Sequence, residues 1–97
     1  MKKKHTKILL VDDEPDILEI VGYNLNQEGY QIFTASNGKE AIAKAKKELP
    51  DLIIMDVMMP EMDGMEACEN IRKIPELANV IITFLTARSE DYSQVVG

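Results

Sequence analysis

The chain has 97 residues, room for a single domain, and its 45% hydrophobic and 29% charged side chains are an ordinary globular balance. A formal net charge of -6 argues against gripping nucleic acid, which needs clustered cations, and no apolar run approaches the roughly 20 residues that span a bilayer. The single cysteine, Cys68, excludes an internal disulfide and a zinc spacing, which points to a reducing, cytoplasmic setting.

Residues 1–5, Met1-Lys2-Lys3-Lys4-His5, read as a short basic, solvated tail. The apolar run behind it, Ile8 to Val11, stops after four residues at Asp12-Asp13 and so lacks the core of a signal peptide. That run predicts a first strand, buried on both faces as in a parallel sheet. Pro15 then suits the first turn of a helix carrying Ile17, Leu18, Val21 and Leu25, which Gly29 stops. Tyr30–Ala35 is more mixed and suits an edge strand. Asn37 with Glu40 predicts a capping box for a second helix, striped by Ala41, Ile42, Ala45 and Leu49 and ended by Pro50. Leu52 to Met55 is the third strand. Asp63 with Glu66 caps a third helix, backed by Met65, Cys68 and Ile71 and closed by Pro75. Val80 to Leu85 is the fourth strand, and a fourth helix is expected to begin near Tyr92.

Alternation at this spacing predicts an α/β fold: a doubly wound parallel sheet with right-handed crossovers and helices on both faces. With the mixed second strand at the edge, the order is 2-1-3-4, and the winding reverses between strands 1 and 3. Ligands bind beyond the carboxyl ends of strands at such a reversal. Strand 1 runs into Asp12-Asp13-Glu14, strand 3 into Asp56, and strand 4 into Thr86-Ala87. Neighbouring strands lie about 4.8 Å apart, so these residues are expected to converge.

Carboxylates gathered there repel, by roughly 4 kcal/mol for two unit charges 4 Å apart at an effective dielectric near 20. Either a proton is shared or a cation is bound. Oxygen ligands select magnesium or calcium, and a few carboxylates with a carbonyl, waters and a phosphate oxygen suit magnesium. With the charge neutralised, a carboxylate oxygen of Asp56 is placed to attack phosphorus. The Thr86 hydroxyl and nearby backbone N–H groups are placed to hold the remaining phosphoryl oxygens.

Three separated strings, Ile8-Leu9-Leu10-Val11-Asp12-Asp13-Glu14-Pro15, Asp56-Val57-Met58-Met59-Pro60-Glu61-Met62-Asp63-Gly64 and Leu85-Thr86-Ala87, resemble the receiver domain of bacterial two-component response regulators. The likeness runs from about Thr6 to the end of the chain. It implies a flavodoxin-like fold and a regulatory phosphoacceptor rather than an enzyme. Asp56 is the implied phosphorylation site, with Asp13, Asp56 and the Met58 carbonyl as magnesium ligands and Asp12 acting through a water. Thr86 is the implied switch hydroxyl, and the backbone N–H groups of Met58 and Ala87 the implied phosphoryl cradle. The implied donor is a phosphohistidine on a sensor histidine kinase or a phosphotransfer protein. Receivers also carry a fifth strand, a lysine just after it and a last helix, and residues 6–97 contain none of these. The chain is therefore read as a partial receiver whose fourth strand presents an apolar edge, open to self-association or domain swapping.

Plainer readings stand beside these. Asp12 and Asp13 suit a helix N-terminus as loop acids. Met58, Met59, Met62 and Met65 read as packing residues, Cys68 as core and His5 as inert. A magnesium-dependent phosphohydrolase also uses an aspartyl phosphate, but generally has an acid two residues after the nucleophile, where this chain has Met58. A flavin module needs a hydroxyl- and N–H-rich loop where this chain has Asp-Asp-Glu. A degenerate receiver used only for protein contacts keeps the fold without the acids.

Overall fold

A computed structural model of the protein describes residues 6–85. Residues 1–5, Thr86, Ala87 and the helix expected near Tyr92 lie outside the described residues. The elements follow in strict alternation: β1 (Lys7–Val11), α1 (Pro15–Gln27), β2 (Gln31–Ala35), α2 (Gly38–Glu48), β3 (Leu52–Asp56), α3 (Gly64–Arg72), a 3₁₀ turn at Pro75–Leu77, and β4 (Ile81–Leu85). The strands form one parallel sheet of order β2-β1-β3-β4. This is the doubly wound order read from the sequence, with the mixed strand β2 at an edge.

Because side chains alternate across a strand, β1 serves both faces. Leu9 and Val11 join Ile53, Met55, Ala41, Ala45, Ala67 and Ile71 in the main core beneath α2 and α3. On the other face α1 lies close: a Cβ added at Gly22 would sit 3.6 Å from the side chains of Leu10 and Ile32. All of Ile8 to Val11 is therefore at most 2% exposed, which explains the unbroken apolar run. Strand β4 is different: Ile81 is 66% exposed and Thr83 is also exposed, so its apolar run does not report cover on both faces among the described residues.

The helix ends follow their sequence signals, with two differences. Leu49 was expected on the buried stripe of α2, yet it is exposed, at φ 49°, as the residue that leaves the helix. The following Pro50 disfavours the helical region for Leu49 and so ends the stripe one turn early. Met65 was expected behind α3 but is 54% exposed. Ile71 is buried as expected, but the rest of the buried face is Gly64 and Ala67, because the smallest side chains allow the closest approach to the sheet.

Candidate functional site

The carboxyl ends of β1 and β3 are neighbours, paired through Val11 and Met55. The acids that follow or end these strands are delivered to one place. Carboxylate oxygens of Asp12, Asp13 and Asp56 all lie within 4.8 Å of one another. Two oxygens held at about 2.1 Å by the same magnesium ion are at most about 4.2 Å apart. The 4.8 Å bound is slightly wider than that, so a small inward rotation of the carboxylates would set them round one cation, and their all-oxygen donor set suits a hard one.

Burial makes the cluster costly without a partner. Asp12 is 5% and Asp56 4% exposed, while Asp13 is exposed. Asp12 sits beside an apolar crevice lined by Leu10, Ile17, Leu18, Val21 and Leu85. Its carboxyl is pushed above the ordinary value, first by loss of water and then by the charges of Asp56, Asp13 and Glu14; the backbone N–H of Glu14 opposes the rise. That N–H donates to Asp12 Oδ1 at 2.9 Å, and the N–H of Met58 donates to Asp56 Oδ1 at 3.0 Å. Each buried acid thus turns the chain back on itself two residues later, which fixes the rotation of its carboxylate.

The loop after β3 is held tightly. Gly64 donates to the Val57 carbonyl at 3.0 Å, Met59 to the same carbonyl at 3.2 Å, and Met62 to the Pro60 carbonyl at 2.8 Å. A Cβ on Gly64 would lie 2.5 Å from the Asp56 carbonyl oxygen and 3.0 Å from the Val57 Cα. Both are backbone atoms, so only glycine lets α3 start this close to the acid. Asp63 caps α3 by accepting from Glu66 N–H at 2.9 Å, as its spacing predicts.

The structure therefore brings Asp12, Asp13 and Asp56 together, with Met58 next to them; Thr86 and Ala87 lie outside the described residues. The four methionines do not behave alike. Met59 is 7% exposed and Met62 half-buried against the core, as packing requires, whereas Met58 at 64% and Met65 at 54% face outward. Cys68 is half-buried rather than central. Gly38, which has no role in the sequence motifs, is buried against Met62 of the site loop, and Gly64, which ends the second motif, is buried against Asp56; glycine at a helix start was the available signal for Gly38.

A doubly wound sheet with an acidic cluster over its switch point belongs to the class of α/β domains that work at the carboxyl ends of parallel strands. The family model of the response regulator receiver domain matches residues 8–96. The chain belongs to the response regulator receiver domain family. It is 45% identical over 91 residues to the alkaline phosphatase synthesis transcriptional regulatory protein PhoP of Bacillus subtilis, covering 94% of this chain and 37% of that protein. It is 42% identical to the probable transcriptional regulator ycf27 of Pyropia yezoensis, covering 100% of this chain and 39% of that one. The chain thus spans less than two-fifths of the length of these relatives. Among solved structures, chemotaxis protein CheY4 of Vibrio cholerae superposes with a TM-score of 0.83 at 36% identity, over 95% of this chain and 80% of that one. The response regulator TrrA of Thermotoga maritima, in complex with Mg(2+)-BeF, gives 0.78 at 42% identity, over 93% and 76%.

Proposed function

We propose that this receiver domain takes a phosphoryl group from a phosphohistidine onto Asp56 and changes conformation to control an output. The observation that carries this reading is the meeting of the Asp12, Asp13 and Asp56 carboxylates within 4.8 Å across the switch point. In the step, an Asp56 carboxylate oxygen forms a bond to phosphorus. The nitrogen–phosphorus bond of the donor breaks, and its electron pair returns to the imidazole. Magnesium, when bound, would neutralise the acids and polarise the phosphoryl oxygens. Asp13, Asp56 and the Met58 carbonyl are the proposed ligands, with Asp12 acting through a water. The Met58 N–H, which donates to Asp56 Oδ1 at 3.0 Å, is placed to turn toward a phosphoryl oxygen. Thr86 and the Ala87 N–H are proposed as the other phosphoryl contacts. The Thermotoga relative carries Mg(2+)-BeF, which supports a magnesium-dependent phosphoacceptor reading here.

The proposed domain covers residues 6–97 behind a basic tail of residues 1–5. Its proposed partners are a cytoplasmic sensor histidine kinase or phosphotransfer protein, and a second copy through the β4 edge or by swapping. Among the described residues, no helix is long and apolar enough to cross a membrane. The domain itself is not proposed to touch nucleic acid, since its net charge is -6. Incubation with acetyl phosphate and magnesium tests the reading: one phosphoryl group per chain, lost when EDTA is present, is expected. Repeated turnover of phosphate esters would favour the phosphohydrolase instead.

A further inference from the structure

We infer that Gly38 and Met62 are positioning residues for the acidic site: the start of α2 is a fixed stop against which the loop after β3 is seated. The inference rests on the reading of Asp12, Asp13 and Asp56 as a magnesium site. Its geometry is independent of that reading.

The stop is rigid. Asn37 accepts the N–H of Glu40 at 2.8 Å and the Glu40 carboxylate accepts the N–H of Ser36 at 3.1 Å, so the first turn of α2 is closed from both sides. The same segment is tied to the site, because the N–H of Asp12 donates to the Ala35 carbonyl at 3.1 Å. Gly38, the first residue of α2, is buried. A Cβ there would meet Met62 at three points: Sδ at 2.7 Å, Cγ at 2.8 Å and Cβ at 2.9 Å. The sulfur can swing away, but the Met62 Cβ is fixed to its backbone. An added methyl must therefore displace the loop, not merely turn a side chain.

The loop has little room to absorb that push. On one side Glu61 is already held at φ 67°, a region few non-glycine residues enter. On the other side Gly64 is wedged against the Asp56 carbonyl, and its N–H is bonded to Val57. Displacement at Met62 is thus passed to residues 56–58, which supply the Asp56 carboxylate and the Met58 carbonyl. Sites of this kind tolerate only about 0.5 Å of error in their ligands.

The test is magnesium affinity, measured by titrating magnesium chloride into the protein and following amide shifts, with the Tm recorded for each variant. Helix propensity favours alanine over glycine at position 38, so a role confined to α2 predicts unchanged affinity in Gly38→Ala. We expect affinity to fall about tenfold, the scale of losing a supporting contact around a metal site. Met62→Ala removes two of the three clashing atoms but keeps the Cβ contact at 2.9 Å, so the double variant should recover part of that loss. Wild-type affinity in Gly38→Ala, or a loss that Met62→Ala leaves unchanged, overturns the inference. If Gly38→Ala does not fold, Met62→Ala alone decides: it adds no atoms and should weaken binding several-fold, as expected for a lost support, and wild-type affinity would refute the role. Absence of magnesium binding by the unaltered protein would sink the metal-site reading itself, and this inference with it.

Discussion

Asp12 illustrates what one residue costs the fold and why the cost is retained. Its carboxyl is raised above 3.8 by burial and by its acidic neighbours. The folded state therefore holds its proton more tightly than the unfolded chain does. Its contribution to stability is largest below pH 3.8 and is lost as pH rises through the folded value, so at neutral pH the ionised group opposes folding. In EDTA at pH 7, Asp12→Asn should raise the Tm, since the amide oxygen can still accept from Glu14, and the gain should shrink toward pH 3.8. An equal gain at both pH values would contradict the electrostatic origin. Gly64→Ala acts oppositely: a methyl 2.5 Å from the Asp56 carbonyl should cost about 1–3 kcal/mol, readable in thermal melts as a fall of about 4–8 °C per kcal/mol. An unchanged Tm would mean that the loop yields. The three acids were legible in the sequence because strand ends place them without detail from elsewhere. The separate fates of Met58 and Met62 were not, because methionine has no fixed partner and its burial depends on how the loop closes.

At the level of elements, the signals that proved readable were local. Asn37 and Asp63 each cap a helix three residues before a glutamate, and both bonds form. Alanine at either position should cost about 1 kcal/mol, which urea unfolding with an unchanged m-value would report. The two caps differ in what else they hold. Asp63→Ala should also disturb the site loop and weaken magnesium binding more than it lowers the Tm alone implies, because α3 starts against Asp56. Equal magnesium affinity in Asp63→Ala and the unaltered protein would count against that coupling. Helix faces were less legible than helix ends. Apolarity marked Met65 and Leu49 as buried, but close approach to the sheet selected Gly64 and Ala67, and Pro50 removed Leu49. In the second case the sequence held the reason; in the first it lay in packing distance.

For the whole molecule, the sheet order followed from one contrast, three apolar strands against the mixed β2, and that order alone places the site. The exposure of Ile81 and Thr83 among the described residues was not visible in the same way, since the run at β4 resembles the run at β3. Among the described residues, strand β4 is terminal in the sheet and carries Ile81 at 66% exposure, and an apolar strand at a sheet edge is prone to pair with another chain. Sedimentation should detect association at high concentration, and Ile81→Lys should reduce it; a monomer at all concentrations would contradict this. The most direct test of the account is to phosphorylate the protein with acetyl phosphate and magnesium, reduce the acyl phosphate with borohydride, and locate the altered residue by mass spectrometry. Conversion should be confined to Asp56 and vanish in Asp56→Asn; a label on another residue, or one that survives that substitution, would contradict the account.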